Sequence, residues 1–277
     1  MIKQVSLVGG LMPLPKVCVT LSGNTLEEML EDAALATAAG ADLIEIRFDN
    51  LWLKKVEVIE EVQGDEQRKS KSKKWEYLPI PLENVNVDSC IAAFKTGITI
   101  PYIFTCRPRR QGGHFPGEES GRIAILESAI KSGSPFIDLE VDIDSDERMK
   151  LISLVDDSTK VIASEHGGSP PVVDEILSQI DQMSSMGSIV KICYRLTTKG
   201  GALRVLEAAK LVGEREDEGP EICIMGIGEG GDWSRIHAPI LGSSLVYSTM
   251  EDSFDVIRQG RINFEDLLIA WDLLEYE

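Results

Sequence analysis

The chain has 277 residues, of which 43% are hydrophobic and 27% are charged, with a formal net charge of −18 at pH 7. This composition excludes a disordered chain, because it supplies enough apolar side chains for a large core. The acidic balance argues against nucleic-acid binding, which needs basic patches. No apolar run reaches the length of a membrane span, and residues 1–15 lack the architecture of a signal peptide. We therefore expect a cytoplasmic protein with no nucleic-acid or membrane partner.

The five cysteines lack the close pairing that is typical of metal sites, such as C-x-x-C. Four of them lie in apolar, strand-like runs. This pattern is typical of small buried side chains in a reducing compartment. The sequence therefore predicts neither disulfides nor a metal site.

Strands and helices alternate along the chain. Apolar runs predict eight strands, at 16–22, 42–49, 102–107, 136–142, 160–166, 189–194, 221–226 and 244–249. Helical spacing predicts helices at 25–39 (capped by Asn24 or Thr25), 118–131, 145–155, 172–186, 201–212 and 263–275, with a short one near Arg235. Alternation predicts a parallel sheet. Eight such units favour an α/β fold of the (β/α)8 TIM barrel type, a single domain over 1–277, with its site at the carboxyl ends of the strands.

An open, doubly wound sheet is the alternative fold. It usually carries a glycine-rich fingerprint after its first strand, and here Gly23 is not followed by that pattern. The barrel is therefore the favoured prediction.

A charged segment at 54–75 interrupts the alternation. From Gln63 to Lys74 it contains no apolar residue, which predicts an exposed, mobile loop within a surface insertion. Its lysines offer a nucleic-acid role as the alternative, but a solvated insertion is the simpler interpretation.

Lys191 lies inside the apolar run 189–194, in the sequence Ile-Val-Lys-Ile-Cys-Tyr. Lysine is depleted in strands and is almost never buried unless it is paired. Burial lowers the pKa of an amine, and a neutral amine attacks carbonyl groups to form a Schiff base. Two structural roles are the alternatives to this chemistry: Lys191 could lie on an edge strand, or its side chain could extend to the solvent at the strand end.

Other ionisable side chains follow the remaining strands, and a barrel would bring them to one end: Glu45, Arg47, Asp49, Arg107, Glu140, Asp142, His166 and Arg235. A structural layer of paired charges that closes the barrel would explain any one of these residues, but it explains the presence of all of them poorly. His166 ends the strand before that of Lys191, so the two can approach. An imidazole beside an imine-forming lysine can remove a proton from the carbon next to the imine.

These residues resemble the type I 3-dehydroquinate dehydratases of the shikimate pathway, over nearly the whole chain except 54–75. The run 41–49 resembles the family's second strand, and Phe104–Pro108 with Gly112 and Gly113 resembles its third. The segments 138–141 and 161–166 have the spacing of its signature. Lys191 falls where the imine lysine lies, and Met225, Arg235 and Gly242 resemble the last two strand regions.

The resemblance implies a hydro-lyase that converts 3-dehydroquinate to 3-dehydroshikimate, without cofactor or metal and often as a homodimer. Lys191 would form the imine, and His166 would act as general base and then general acid. Arg235 would bind the substrate carboxylate. Glu45, Arg47 and Arg107 would bind and orient the ring, Met225 would pack against it, and Arg261 would bind the carboxylate or lie free at the surface.

The chain departs from the family pattern at several places, which include Glu165 and a longer loop between Met225 and Arg235. Gln111 stands where a glutamate is usual, and an amide brings no charge to raise the pKa of a histidine. Gly167 follows the histidine in place of aspartate. The usual lid sequence is replaced by the run 257–261. These changes bear on substrate binding more than on the Lys191–His166 pair.

Two rival functions stay open from the sequence. A class I aldolase or transaldolase would also use a lysine imine in a barrel, and the glycine-rich run 228–231 could form a phosphate site. Glu229 and Asp232 argue against an anion there. A non-catalytic barrel that binds a shikimate-like ligand is the second rival, although a buried Lys191–His166 pair is costly without a catalytic use.

Overall fold

A computed structural model describes residues 14–62, 70–215 and 219–276 of the chain. Its strands, numbered along the chain, are β1 (Lys16–Thr20), β2 (Leu43–Arg47), β3 (Leu53–Val62), β4 (Ser70–Pro79), β5 (Tyr102–Thr105), β6 (Phe136–Glu140), β7 (Lys160–His166), β8 (Ile189–Leu196), β9 (Glu221–Gly228) and β10 (Leu245–Ser248). Its helices are α1 (Leu26–Ala39), α2 (Val87–Gly97), α3 (Glu119–Lys131), α4 (Ser145–Ser153), α5 (Val173–Met183), α6 (Lys199–Gly213), α7 (Trp233–Ile236), α8 (Phe254–Arg258) and α9 (Phe264–Leu273).

Eight parallel strands form the central sheet, in the order β10-β1-β2-β5-β6-β7-β8-β9. The two ends of this sheet meet, because the backbone N–H of Ser244 before β10 donates to the carbonyl of Ile222 in β9 at 2.9 Å. The sheet is therefore a nearly closed barrel, and the predicted (β/α)8 fold is confirmed. The open doubly wound alternative is excluded.

Apolar side chains form two layers, one inside the barrel and one between the barrel and the surrounding helices. The inner cluster includes Cys18, Leu43, Ile103, Ile162 and Tyr247. The outer clusters lie between strands and helices, as the helical spacing predicted. All five cysteines are free, and Cys90 is the one that is only partly buried. Among the helices in the described ranges, none is long and apolar enough to cross a membrane.

Helix α1 shows how local sequence sets an element's limits. Thr25, rather than Asn24, caps it. The Thr25 side chain accepts a hydrogen bond from the backbone N–H of Glu28, and the Glu28 carboxylate accepts one from the backbone N–H of Thr25. The helix ends at Gly40, as predicted. Helix α2 was not predicted, although Asn86 caps it and Ile91 and Phe94 are buried at helical spacing.

The charged insertion includes a β-hairpin, so the loop predicted over 63–74 is wrong for residues 70–74, which belong to β4. Strands β3 and β4 pair in antiparallel register from Leu53 opposite Pro79 to Val62 opposite Ser70. The lysine-rich composition concealed this pairing. The hairpin follows β2 and therefore starts at the end of the barrel where the strands terminate. Residues 63–69 and the side chains of 70–74, on which the nucleic-acid alternative depended, lie outside the described parts.

Candidate active site

An open cavity of about 1380 Å³ lies at the carboxyl ends of the barrel strands. All eight predicted site residues line it: Glu45, Arg47, Arg107, His166, Lys191, Met225, Arg235 and Arg261. The parallel strands bring their carboxyl ends to one side of the barrel, which explains how residues so distant in sequence meet. The three-dimensional grouping is as predicted, and the individual roles remain predictions.

Lys191 points into the buried floor of the cavity. Its Nζ lies 3.0 Å from Glu45 Oε1 and 3.2 Å from Asp138 Oδ2. The face of the Tyr247 ring lies on another side, with its centroid 3.9 Å from Nζ. An edge-strand lysine is excluded, because β8 pairs with β7 and β9 on its two sides.

The pKa of Lys191 differs from the sequence expectation. Burial alone lowers it, but the carboxylates of Glu45 and Asp138 outweigh burial and raise the pKa above the usual lysine value. The predicted neutral amine is therefore wrong, because the raised pKa keeps Lys191 an ammonium at pH 7. Burial of Lys191 can be predicted from its apolar strand, but the two carboxylates that offset burial come from other strands and have no local signal in the sequence.

Asp138 is a site residue that sequence analysis did not select. It is fully buried, and it pairs with both Lys191 and Arg107, whose Nη2 lies 3.0 Å from its Oδ2. Despite burial, these cations lower the pKa of its carboxyl, so it carries a negative charge. The available signal was its position two residues before Glu140 on an apolar strand, which places both carboxylates on one face.

Arg107 connects the carboxylates to His166. Its Nη1 lies 2.6 Å from His166 Nε2 and also contacts Nδ1. Burial and the charges of Arg107 and Lys191 lower the pKa of His166 well below its usual value. The imidazole is therefore neutral at pH 7, which is the form that a general base requires.

Gln111 holds the backbone of His166. Its Oε1 accepts from the His166 backbone N–H at 3.1 Å and lies 3.3 Å from ring Nδ1. The Gln111 amide therefore contacts His166 although it brings no charge. The neighbouring Gly167 has a φ of +99°, a left-handed conformation that an aspartate there would adopt only with strain. The departure at Gly167 therefore has a backbone explanation.

Arg47 is fixed by a carboxylate next to it in the site. Its Nε and Nη2 lie 3.0 and 2.8 Å from the two oxygens of the fully buried Asp49. Asp49 also accepts from the backbone N–H groups of Arg107 and His114, at 3.1 and 2.9 Å. One carboxylate thus joins the ends of β2 and β5 and orients the guanidinium of Arg47 toward the cavity.

Arg235 is a buried cation without an ion pair in the described part of the chain. Its guanidinium donates to backbone carbonyls, including those of Tyr247 at 3.0 Å and Gly226 at 2.6 Å. Its Nη2 has only the Met225 sulfur as a partner there, at 3.4 Å. Burial lowers its pKa. A bound anion would supply the missing counter-charge.

The run 228–231 does not form the phosphate site that the aldolase alternative needs. The N–H of Gly228 donates to Gln259, that of Glu229 to Leu196, and that of Gly231 to Gly228. These three N–H groups are therefore not free to bind an anion. Arg261 lies nearby at the rim, where its Nη1 is 3.3 Å from Glu251 Oε2.

Comparison with known proteins assigns the chain to a family. A family model described as type I 3-dehydroquinase matches residues 17–276. The 3-dehydroquinate dehydratase of Desulfotalea psychrophila is 27% identical over 254 residues, which cover 91% of this chain and 95% of that protein. The 3-dehydroquinate dehydratase of Methanosarcina mazei is 28% identical, over 82% of this chain and 84% of that protein.

Solved structures show the same fold. Type I 3-dehydroquinate dehydratase from Clostridium difficile, covalently modified with comenic acid, superimposes with a TM-score of 0.75 at 22% identity, covering 94% of this chain and 92% of that one. The enzyme from Enterococcus faecalis superimposes with a TM-score of 0.73 at 19% identity, covering 96% of each chain. The family match extends over nearly the whole barrel and over every predicted site residue, and the chain therefore belongs to the type I 3-dehydroquinase family.

Proposed function

We propose that the protein is a lyase that dehydrates 3-dehydroquinate to 3-dehydroshikimate through an imine on Lys191. The observation that carries this proposal is a buried lysine on the floor of a large cavity, held by two carboxylates, with a neutral histidine on the neighbouring strand. Membership of the type I 3-dehydroquinase family supplies the substrate.

The first step is attack of Lys191 on the substrate ketone. Because Lys191 is cationic at rest, its Nζ must first lose a proton, and Glu45 Oε1 at 3.0 Å can accept it. The nitrogen passes one proton to the former ketone oxygen, and Glu45 returns the proton that it accepted. The oxygen then leaves as water, the nitrogen becomes a positively charged iminium, and Glu45 is again a carboxylate. Glu45 and Asp138 then stabilise this cation as they stabilise the ammonium.

His166 performs the proton transfers in the second step. The neutral imidazole removes a proton from the carbon next to the iminium carbon, and the bond electrons move toward the nitrogen. The imidazolium then gives its proton to the hydroxyl on the tertiary carbon, which leaves as water. Hydrolysis of the iminium releases the product and restores Lys191.

Arg235 binds the substrate carboxylate in this scheme. It is buried and lacks an ion pair within the described ranges, so a carboxylate at Nη2 would offset the desolvation of the guanidinium. Arg261 at the rim adds a second positive charge. Arg47, whose Nη1 is not used by Asp49, binds a ring hydroxyl, and Met225 packs against the ring.

Glu45 and Arg107 act mainly by placing their charges beside Lys191 and His166, the two residues that react with the substrate. Arg107 contacts Asp138 and His166, so it orients both groups and keeps the imidazole neutral. Glu45 also accepts from Thr20 at 2.8 Å and from Thr105 at 3.3 Å, which fixes its position beside Lys191.

Borohydride trapping tests the proposed function. The protein is incubated with 3-dehydroquinate, reduced, digested and analysed by mass spectrometry. An adduct on the Lys191 peptide, with dehydration measured in the same preparation, is the expected result. A folded protein that gives neither would favour the non-catalytic barrel. Cytoplasmic location and a homodimer remain predictions of this proposal, the latter tested by light scattering.

A further inference from the structure

Tyr247 contacts the proposed reactive nitrogen, although neither sequence nor family placement singled it out. It lies on β10, two residues after Leu245, and both side chains belong to the inner cluster of the barrel. Its ring centroid is 3.9 Å from Lys191 Nζ, and its side chain lines the cavity. The electron-rich ring face thus lies directly against the atom that would carry the positive charge of the imine.

The surroundings of the Tyr247 hydroxyl provide a second, independent observation. It is completely buried, and no side chain or backbone group of the described residues forms a hydrogen bond with it. Leaving a buried hydroxyl without a partner is unfavourable. Burial also raises the pKa of Tyr247, so the hydroxyl keeps its proton and is available as a donor. Phenylalanine would provide the same ring without the buried polar atom.

We propose that Tyr247 is a further catalytic residue of this site: its ring stabilises the cationic imine nitrogen, and its hydroxyl donates a hydrogen bond to an oxygen of the bound hydroxylated cyclic ketone. The inference rests on the proposed function. The ring acts through its quadrupole, an attraction that is strongest when the cation is removed from water. The hydroxyl gains its partner only when the ligand is present.

Two substitutions separate the two contributions. Tyr247→Phe keeps the ring and removes the hydroxyl, and we expect kcat to fall about tenfold. Because the change removes an unpartnered polar atom, the melting temperature should stay the same or rise. Tyr247→Leu also removes the ring, and kcat should fall about 100-fold, with less Lys191 adduct trapped at saturating substrate.

Leu245→Val is the matched control, since it alters the same inner face of β10 without touching Lys191. It should lower the melting temperature while leaving kcat and KM near wild type. Wild-type kcat and KM in Tyr247→Phe would overturn the hydrogen bond, and wild-type values in Tyr247→Leu would overturn the role of the ring. Either result, with an adduct on wild-type Lys191, leaves the proposed function intact. Absence of that adduct would reject the proposed function itself.

Discussion

Lys191 and Glu45 lie 146 positions apart in the chain and form a buried ion pair, with 3.0 Å between Nζ and Oε1. Asp138 shares the same ammonium at 3.2 Å. This arrangement makes the lysine both a stabilising cation and the proposed nucleophile. A substitution of Lys191 should therefore affect stability as well as chemistry.

Lys191→Met should abolish dehydration and borohydride trapping. It should also lower the free energy of unfolding by up to about 3–5 kcal/mol, because Glu45 and Asp138 would stay buried without their cation. Thermal unfolding and turnover are the measurements. Lys160→Met is the control: Lys160 is an exposed strand lysine paired with Glu221 at 2.8 Å, so little should change. Turnover in the Lys191 variant would contradict the imine.

His166→Ala should form the imine but fail to remove the proton. We expect kcat to fall about 100-fold to 10,000-fold, the usual range for the loss of a general base. Mass spectrometry after borohydride reduction should still detect an adduct on Lys191. His237→Ala provides the comparison, because His237 contacts Tyr276 away from the cavity. Near-normal turnover without His166 would contradict its assigned role.

The pH profile should report the lowered pKa of His166. A general base works in its unprotonated form, so a lowered pKa moves the acidic limb of kcat/KM below the usual histidine range, and activity should persist below pH 6. Gln111→Glu places a carboxylate beside Nδ1 and should raise the pKa of His166, which moves that limb to higher pH. An identical limb in both proteins would show that another group controls it.

Arg235→Lys should weaken substrate binding more than chemistry. An ammonium cannot reproduce the guanidinium's planar set of donors, so we expect KM to rise about tenfold to 100-fold. Steady-state kinetics with 3-dehydroquinate measure the effect. Arg215→Lys is a matched control, because Arg215 pairs with Asp181 outside the cavity. A fall in kcat at unchanged KM would contradict carboxylate binding.

The distal part of the hairpin should be dispensable. We predict that deleting 63–74 leaves kcat and KM unchanged, because the hairpin side chains that line the cavity, among those the structure describes, are Leu53, Lys55, Trp75 and Tyr77. Replacing 58–74 with Asn-Gly is a sharper design, since it joins Glu57 and Trp75, which are paired in the native register.

Tyr77→Ala in the intact hairpin gives the contrasting result. It should raise KM with little effect on kcat, because it alters the entrance of the cavity and not the reacting groups. Loss of kcat in the shortened protein would instead show that the distal hairpin reaches the site.

Much of the barrel could be predicted from short-range pattern. The alternation of apolar runs and helical spacing identified the eight barrel strands, because each run must bury its side chains between the sheet and a helix. The hairpin was missed, because lysine-rich β4 lacks the apolar alternation that indicates a half-buried strand. Helix α2 was left unassigned despite its cap at Asn86 and its buried spacing.

The residue types at the strand ends can be read from the sequence, and they establish which side chains the closed barrel gathers at one end. The charge states of these side chains depend on tertiary contacts. Lys191 is cationic because Glu45 and Asp138 approach it across the barrel, and His166 is neutral because it is buried and Arg107 lies against it. Such shifts depend on distances of a few ångströms between residues far apart in the chain, and no local pattern encodes those distances.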